Sequence, residues 1–347
     1  MSHIVKIEDW LVKNTYQYNN MNLKELEKIK LEKNLSVAVV IPTLEEESTI
    51  YFLLDLLTKK LVNDCKIIDE LVVIDGGSKD KTEDLCRLFK DVKFFNQVDI
   101  LNNMKLPNKG KGEALWKSLY VTKSDVIIYV DADIKNFDER FVVGILGPML
   151  LNDKIKFVKG YYDRPYMPKE GVKTYEGGRV TEICARPLLN MLYPDLSGFI
   201  QPLGGEYGGY REVLENIEYT SGYSIEVQSL IEILEKYGLD TIAQSNLIER
   251  QHRHQPVNSL SKMSFAIMQT ILSKNVSKGL CNTIMIKNSK KDNSEFVKSR
   301  SESLDHCNCH GNDMENDFFN YVNINEVTLP KMSVVKKDTS TDDIRVN

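Results

Sequence analysis

Two aspartates one residue apart, Asp131 and Asp133, follow directly on the apolar run Asp125 to Val130. Carboxylate oxygens are hard ligands suited to Mg²⁺ or Mn²⁺, and such ions commonly complete their shell with the oxygens of a substrate diphosphate. An Asp-X-Asp triplet alone reads equally as a solvated loop or a helix cap. Delivery from the end of a buried strand makes this one a candidate metal site, because ligands of open α/β sheets bind beyond the carboxyl ends of the strands. His252 and His254 lie in the segment Ile248 to Pro256, where alternation places both imidazoles on one face with Arg250 beside them. They are either surface or core hydrogen-bonding histidines, or ligands that complete the carboxylate site.

Two further clusters suit anions. Lys111, between Gly110 and Gly112, offers a point charge on a flexible backbone, although the spacing is not that of a P-loop and an exposed turn lysine would look the same. Gly177, Gly178, Arg179, Val180 and Thr181 open a predicted helix. Free N–H groups there, with the Arg179 guanidinium and the Thr181 hydroxyl, could hold a phosphate or carboxylate, or the segment is a plain loop with a cap.

These residues need elements to place them. Ser36 to Pro42 is a continuous β-branched run, predicted as a buried parallel strand, and Ser48 or Thr49 is positioned to cap a following helix over Ile50 to Leu61. Glu70 to Asp75 repeats the strand pattern, Gly76 to Ser78 the turn, and Asp80 to Phe89 the helix, a βαβα series. A third strand is expected at Val92 to Phe95, a helix around Leu115 and Leu119, and a strand at Asp125 to Val130. Beyond residue 150 the expectation is mixed topology, with a strand at Ile155 to Gly160, helices over Thr181 to Leu192, 225–237 and 260–273, and an extended segment at Thr241 to Arg253. Residues 1–34 read as an N-terminal helical extension whose apolar residues, Trp10 among them, serve core packing. Residues 35–285 read as the main domain, divided into halves at 35–135 and 136–285. Residues 286–347 read as a polar, partly disordered tail.

With 347 residues, 42% hydrophobic, 27% charged and a net charge of −5, the chain has ordinary globular composition that disfavours nucleic acid as main partner. Neither a signal peptide nor a stretch of about 20 apolar residues occurs, so a cytoplasmic protein without membrane association is expected. The six cysteines read as free thiols. The cluster His306 to His310 crowds four ligands into five residues, too tight to surround one zinc ion readily, and reads as polar linker.

A set of motifs in order, Ile41-Pro-Thr-Leu-Glu-Glu46, Val73-Ile-Asp-Gly-Gly-Ser78, Gly110-Lys-Gly-Glu-Ala-Leu115, Val130-Asp-Ala-Asp133, Gly178-Arg-Val-Thr-Glu182, Ala185-Arg-Pro-Leu-Leu189, Gln201-Pro-Leu-Gly-Gly-Glu-Tyr207 and Arg250-Gln-His252, resembles the glucosyl-3-phosphoglycerate synthase family over about residues 36–275. The resemblance implies an α/β GT-A fold, a Rossmann-like nucleotide-binding half joined to a mixed-sheet acceptor half. It implies a metal-dependent, retaining transfer of glucose from UDP-glucose or another nucleotide-glucose to the 2-hydroxyl of 3-phosphoglycerate, and a homodimer.

By the same resemblance, Pro42, Thr43, Leu44, Glu45, Glu46, Gly76, Lys111, Asp131, Ala132, Tyr223, Ser224, Ile225, Glu226 and Arg250 would bind the donor. Gly178, Arg179, Val180, Thr181 and His254 would bind the acceptor, Asp133 and His252 the Mg²⁺ or Mn²⁺, and Glu226, Lys111 and Arg250 would carry catalysis. His254 stands where relatives often carry asparagine, and Gly76 where they often carry serine, which puts acceptor geometry and donor-base preference in question. Because the leaving group is a nucleoside diphosphate, the main task is to stabilise its charge. Glu226 could act as nucleophile, but a sugar-hydroxyl contact is favoured, with the acceptor attacking from the leaving-group side. The competing readings are a mannosyl-3-phosphoglycerate synthase using GDP-mannose and a non-catalytic nucleotide-sugar sensor.

Overall fold

The computed structural model describes residues 3–169, 172–174, 178–251, 255–275, 283–287, 319–324 and 326–339. The chain opens with α1 (His3–Asn14), β1 (Thr15–Gln17) and α2 (Leu23–Glu32). The β-branched run becomes β2 (Val37–Thr43), followed by α3 (Ile50–Leu56), which continues as a wider π-wound segment to Asp64. The side-chain cap expected at its start is not made by Thr49, whose hydroxyl turns back to the Glu46 carbonyl instead. The alternation continues through β3 (Glu70–Asp75), α4 (Thr82–Cys86), β4 (Val92–Asn96), α5 (Lys111–Val121) and β5 (Val126–Tyr129).

Then follow α6 (Arg140–Leu151), β6 (Phe157–Asp163), the antiparallel pair β7 (Tyr166–Lys169) and β8 (Val172–Thr174), and α7 (Arg186–Leu192). After these come β9 (Tyr207–Tyr210), α8 (Arg211–Leu214), β10 (Tyr219–Thr220), α9 (Ile225–Tyr237), β11 (Ile242–Glu249) and α10 (Val257–Ser273). The last described elements are β12 (Thr283–Lys287), β13 (Phe319–Asn323), β14 (Thr328–Leu329) and α11 (Met332–Thr339).

Eight strands form one sheet in the order β1-β11-β6-β9-β5-β2-β3-β4. All neighbours pair in parallel except β9, which runs antiparallel to both β5 and β6. Alternate residues of each central strand feed opposite faces, as the period of two requires. Val37, Val39 and Ile41 join α3 and α6 on one face, while Ala38 and Val40 join α5, α9 and α10 on the other. The carboxyl ends of β2, β3, β5, β6 and β11 therefore open on one edge of the sheet, and the reversed β9 delivers its amino end to that same edge.

Two expectations change. The N-terminal segment is not only helical: β1 pairs with β11 at the sheet margin, and the Trp10 indole N–H donates to the Ile242 carbonyl at 2.9 Å. The tail from 286 is not uniformly a solvated linker either. Leu329, Met332 and Val335 are buried in the core beside α5, at a spacing of three that is too short a run to stand out in the sequence. The Cys/His cluster at 306–310 lies outside the described residues. Cys65, Cys86 and Cys184 are free thiols.

The start of α5 is rigid, not flexible as expected. The Gly112 and Glu113 amides donate to the carbonyls of Gly222 (3.2 Å) and Ser221 (2.9 Å), so the helix start is stitched to the loop that enters α9. A Cβ on Gly112 would lie 1.9 Å from the Thr220 carbonyl oxygen, and backbone there cannot yield as a side chain would. Gly112→Ala is expected to lower stability by about 2–3 kcal/mol through this overpacking. Urea unfolding checks it, and an unchanged midpoint would mean the loop tolerates the methyl.

Candidate active site at the carboxyl edge of the sheet

A cleft of about 490 Å³ lies at this edge. Its first wall is the end of β2 and the turn after β3: Pro42, Thr43, Leu44, Glu46 and Gly76, with Gln97 opposite. The Asp75 carboxylate orders that wall, accepting from the Thr43 hydroxyl at 2.8 Å and from the backbone amides of Gly77 and Ser78. Gly76 faces Leu44 and Gln97 at ordinary contact distances for a Cβ, so space exists where a serine is expected.

The floor is a ladder of alternating charges. Lys111, at the start of α5, places Nζ 2.5 Å from Asp131 Oδ1 and 2.7 Å from Glu226 Oε1. Arg250, just past β11, places Nη2 3.0 Å from Asp131 Oδ2 and 2.6 Å from Asp133 Oδ1. Its other terminal nitrogen lies 3.2 Å from Glu206 Oε1 and donates to the Tyr162 hydroxyl at 3.0 Å, while that hydroxyl donates to Glu206 Oε2 at 2.5 Å. Burial works against the charge of Asp131, yet Lys111 and Arg250 outweigh it and hold its carboxyl well below the usual carboxylate range. Burial also opposes the charge on Lys111, and the carboxylates of Asp131 and Glu226 more than compensate, raising its pKa. For Glu206 burial wins: its carboxyl is pushed up despite Arg250. Lys159 lies beneath, on β6, its Nζ 4.2 Å from the centroid of the Tyr207 ring; burial pushes it down to about 7, with Glu226 opposing.

Local structure fixes each member. The loop after β5 is tied to the chain beyond β11 through the Lys135 amide to the Gln251 carbonyl (2.9 Å) and the Gln251 amide to the Asn136 side chain (2.8 Å). Gly205 is required beside Asp131, since a Cβ there would meet its Oδ2 at 2.1 Å.

The opposite wall is the helical start after Gly178, which runs through a π-wound segment (Thr181–Ala185) into α7, together with one face of α10. Gly178, Arg179, Val180 and Thr181 line it, and so do Leu260, Met263 and Ile267, at helical spacing on α10. Arg179 donates to the Gln255 carbonyl at 3.0 Å. The Thr181 hydroxyl is buried and has no hydrogen-bond partner among the described residues, so it can serve a ligand oxygen.

One cleft thus gathers Pro42, Thr43, Leu44, Glu46, Gly76, Lys111, Asp131, Ala132, Asp133, Gly178, Arg179, Val180, Thr181, Tyr223, Glu226 and Arg250. Glu45, Ser224 and Ile225 do not line it. Glu45 is exposed at a positive φ of 58°, Ser224 donates its hydroxyl to Thr220 at 2.9 Å, and Ile225 is packed in the core. His252 and His254 lie outside the described residues. The sequence reading missed Gln97, Lys109, Arg164, Leu203 and the cleft face of α10, together with Glu206 and Tyr162 behind Arg250. The apolar periodicity of 260–273 signals a helix but not that its face meets a cleft. Glu206 lay in a quoted motif without an assigned role.

Four carboxylates, Asp131, Asp133, Glu206 and Glu226, share two directly paired cations, Lys111 and Arg250. Aspartate oxygens beside a diphosphate are where a hard divalent cation would bridge the two sets of like charge. Asp133 is the more exposed aspartate of the pair, a hard oxygen donor facing the cleft, so the residues fit Mg²⁺ or Mn²⁺. Among the described residues no group of three His, Cys, Asp or Glu side chains is assembled for a metal; such ions commonly fill the rest of their shell with water and substrate oxygens.

Residues 38–177 match the family described as Glycosyl transferase family 2. The chain is 41% identical to the glucosyl-3-phosphoglycerate synthase of Petrotoga mobilis over 269 residues, 77% of this chain and 82% of that protein. It is 39% identical to the synthase of Mycolicibacterium smegmatis, covering 76% and 85%. A crystal structure of the Mycobacterium tuberculosis synthase with Mn²⁺, UDP-glucose and phosphoglyceric acid superposes with a TM-score of 0.74 at 31% identity, covering 91% of this chain and 96% of that one. The mannosyl-3-phosphoglycerate synthase structure from Rubrobacter xylanophilus gives a TM-score of 0.77 at 27% identity, covering 95% and 98%.

Glu206→Ala would leave the buried Arg250 Nη1 and the Tyr162 hydroxyl without their acceptor, although Asp131 and Asp133 still balance the guanidinium charge, with an expected loss of about 1–3 kcal/mol. Glu206→Gln, which still accepts hydrogen bonds from Tyr162 and Arg250, should lose less. Chemical denaturation of both variants measures this, and equal stability of Glu206→Ala and wild type would remove Glu206 from the network.

Proposed function

The chain belongs to the glucosyl-3-phosphoglycerate synthase family, and from that premise we propose how its cleft divides the work of the reaction. The enzyme is a metal-dependent glycosyltransferase of α/β GT-A fold that transfers glucose from UDP-glucose to 3-phosphoglycerate. The observation that carries the assignment of parts is the ladder Glu226–Lys111–Asp131–Arg250–Asp133, which sets cations and carboxylates side by side where a donor diphosphate would lie.

In this reading the wall of Pro42, Thr43, Leu44, Glu46 and Gly76 receives the uridine, and Asp131 with Ala132 its ribose side. Asp133 and His252 would hold the Mg²⁺ or Mn²⁺, which supplies Lewis-acid stabilisation of the diphosphate. Arg250 now neutralises Asp133. When the donor binds, its guanidinium would exchange that carboxylate for diphosphate oxygens, supported from behind by Glu206 and Tyr162. Lys111 neutralises the same leaving group from the α5 side. Glu226 and Tyr223 face the sugar. The pairing of Glu226 with Lys111 favours a hydrogen bond to a glucose hydroxyl over attack on the anomeric carbon.

The acceptor seat is Gly178 to Thr181. Arg179 and the unpartnered Thr181 hydroxyl suit an anionic acceptor, and the 3-phosphoglycerate 2-hydroxyl would approach between this wall and the floor. Its oxygen bonds to the anomeric carbon as the carbon–oxygen bond to the diphosphate breaks. Its proton passes to the departing diphosphate oxygen, with retention. His254 remains a proposed acceptor contact. The family resemblance also supports a cytoplasmic homodimer as our reading; no described helix is long and apolar enough to cross a membrane.

Turnover of UDP-, ADP- and GDP-linked glucose and of GDP-mannose, with and without 3-phosphoglycerate and with Mg²⁺ or Mn²⁺, tests the substrate assignment. UDP-glucose with 3-phosphoglycerate should be the preferred pair, and faster use of GDP-mannose would replace it by the mannosyl reading. Asp133→Ala should lower kcat/KM about 100-fold or more while leaving the fold intact by circular dichroism. Arg179→Ala should raise the KM for 3-phosphoglycerate about tenfold with a smaller effect on that for UDP-glucose. An unchanged acceptor KM would take Arg179 out of the acceptor site.

A further inference from the structure

The C-terminal segment from Glu326 to Thr339 belongs to no part of the reading above, yet it is packed directly behind the catalytic floor. β14 pairs antiparallel with β10, Tyr219 opposite Leu329 and Thr220 opposite Thr328. The Ser221 amide donates to the Val327 carbonyl at 3.0 Å, and the Val327 amide donates to the Ser221 hydroxyl at 3.1 Å. Farther along, the Trp116 indole of α5 donates to the Pro330 carbonyl at 2.7 Å, Met332 is fully buried, and Lys336 pairs with Glu215 at 2.7 Å.

At its leading end the segment places a carboxylate at the entrance of α9. Glu326 Oε2 accepts from the Gly222 amide at 2.9 Å. Ser224, at the cap position of this thirteen-residue helix, makes no side-chain cap of its own. Gly222 lies two residues before that cap position, so the carboxylate braces the loop that enters α9 rather than the helix's own first amides. It comes from a residue about a hundred positions away. The loop it holds is the one whose Ser221 and Gly222 carbonyls receive the first amides of α5, and it ends at Tyr223 and Glu226. The C-terminal segment is therefore hydrogen-bonded to a loop that holds the Gly112 and Glu113 amides, next to Lys111, and that leads directly into the first turn of α9, which carries Glu226.

We infer that residues 326–339 form an intramolecular strap and that Glu326 is a positioning residue, a brace on the loop at Gly222 that sets the Lys111–Glu226 edge of the donor site. The kinetic part of this inference rests on the proposed donor-site assignment; the structural part does not. Opposite the strap, the wall at Gly178 to Thr181 has none of these contacts, so the acceptor site is separate from the strap's action.

The test compares full-length wild type with Glu326→Ala, Glu326→Gln and, at the far end of the strap, Lys336→Ala. Hydrogen–deuterium exchange without substrate is read at 219–226, at 110–114 and at 178–183. Glu326→Ala should raise exchange about tenfold in the first two segments and leave the third unchanged, as loss of a charge-assisted hydrogen bond would. Its kcat/KM for UDP-glucose should fall about tenfold, while the KM for 3-phosphoglycerate moves less than about twofold. Glu326→Gln, which keeps an acceptor oxygen, should restore most of both effects, and Lys336→Ala should keep kcat within about twofold of wild type. Unchanged exchange at 219–226 in Glu326→Ala, or a uniform rise across all three segments, would overturn the local role. Because exchange is measured without substrate, a wild-type chain inactive on UDP-glucose would remove the proposed function and leave the strap to be judged on exchange alone.

Discussion

The arrangement depends on one constraint: Asp131 is a largely buried carboxylate, and a buried charge is tolerated only when it is paired and hydrogen-bonded. Its two partners come from distant parts of the chain, Lys111 from the start of α5 and Arg250 from beyond β11. Each partner then needs its own second carboxylate, Glu226 for Lys111 and Asp133 with Glu206 for Arg250. Removing any rung leaves a neighbour uncompensated, so the floor behaves as a unit. On the proposed assignment, the same property would make it a receptor for a donor and its cation, since an arriving diphosphate and divalent ion could take over pairings that the residues now satisfy among themselves.

The fold meets this constraint by bringing five strand ends and one strand start to a single edge. A purely parallel sheet would put the first residues of every strand on the far side. The reversal of β9 between β5 and β6 brings Glu206 to the charged edge instead, and Gly205 lets the chain pass against Asp131. The two helices that carry Lys111 and Glu226 are held by a loop whose backbone is shared between them, and β14 extends that loop into a two-stranded ribbon. Rigidity at the charged floor therefore has a covalently remote source, the C-terminal end of the described chain.

The cleft is asymmetric in a way that suits its two substrates. The floor is charged and densely paired. The wall across from it combines backbone at Gly178 to Thr181 with the apolar side chains Leu260, Met263 and Ile267. On the proposed assignment, a small anionic acceptor held by Arg179 and a buried hydroxyl would lie beside, and not within, the network that manages the leaving group.

The strands β2, β3 and β5 were legible from sequence because runs such as Val37 to Ile41 are buried on both faces and therefore uniformly apolar. Asp131 and Asp133 followed from them, since a carboxylate pair at the end of such a strand has a position as well as a chemistry. The strand β9 was not legible: Tyr-Gly-Gly-Tyr lacks side chains to alternate, and its glycines are small because a Cβ on Gly208 would lie 2.8 Å from the Ile127 carbonyl. The strap was read as a tail because its buried residues, Leu329, Met332 and Val335, fill a groove that exists only once α5 and β10 are assembled. Sequence by itself thus determined the nucleotide-binding strands, the Asp-X-Asp and its motifs, all properties of local runs. Tertiary structure alone decided which cation faces which carboxylate, because Lys111, Glu206, Glu226, Arg250 and Glu326 are brought together only by the strand order and helix packing of the folded chain.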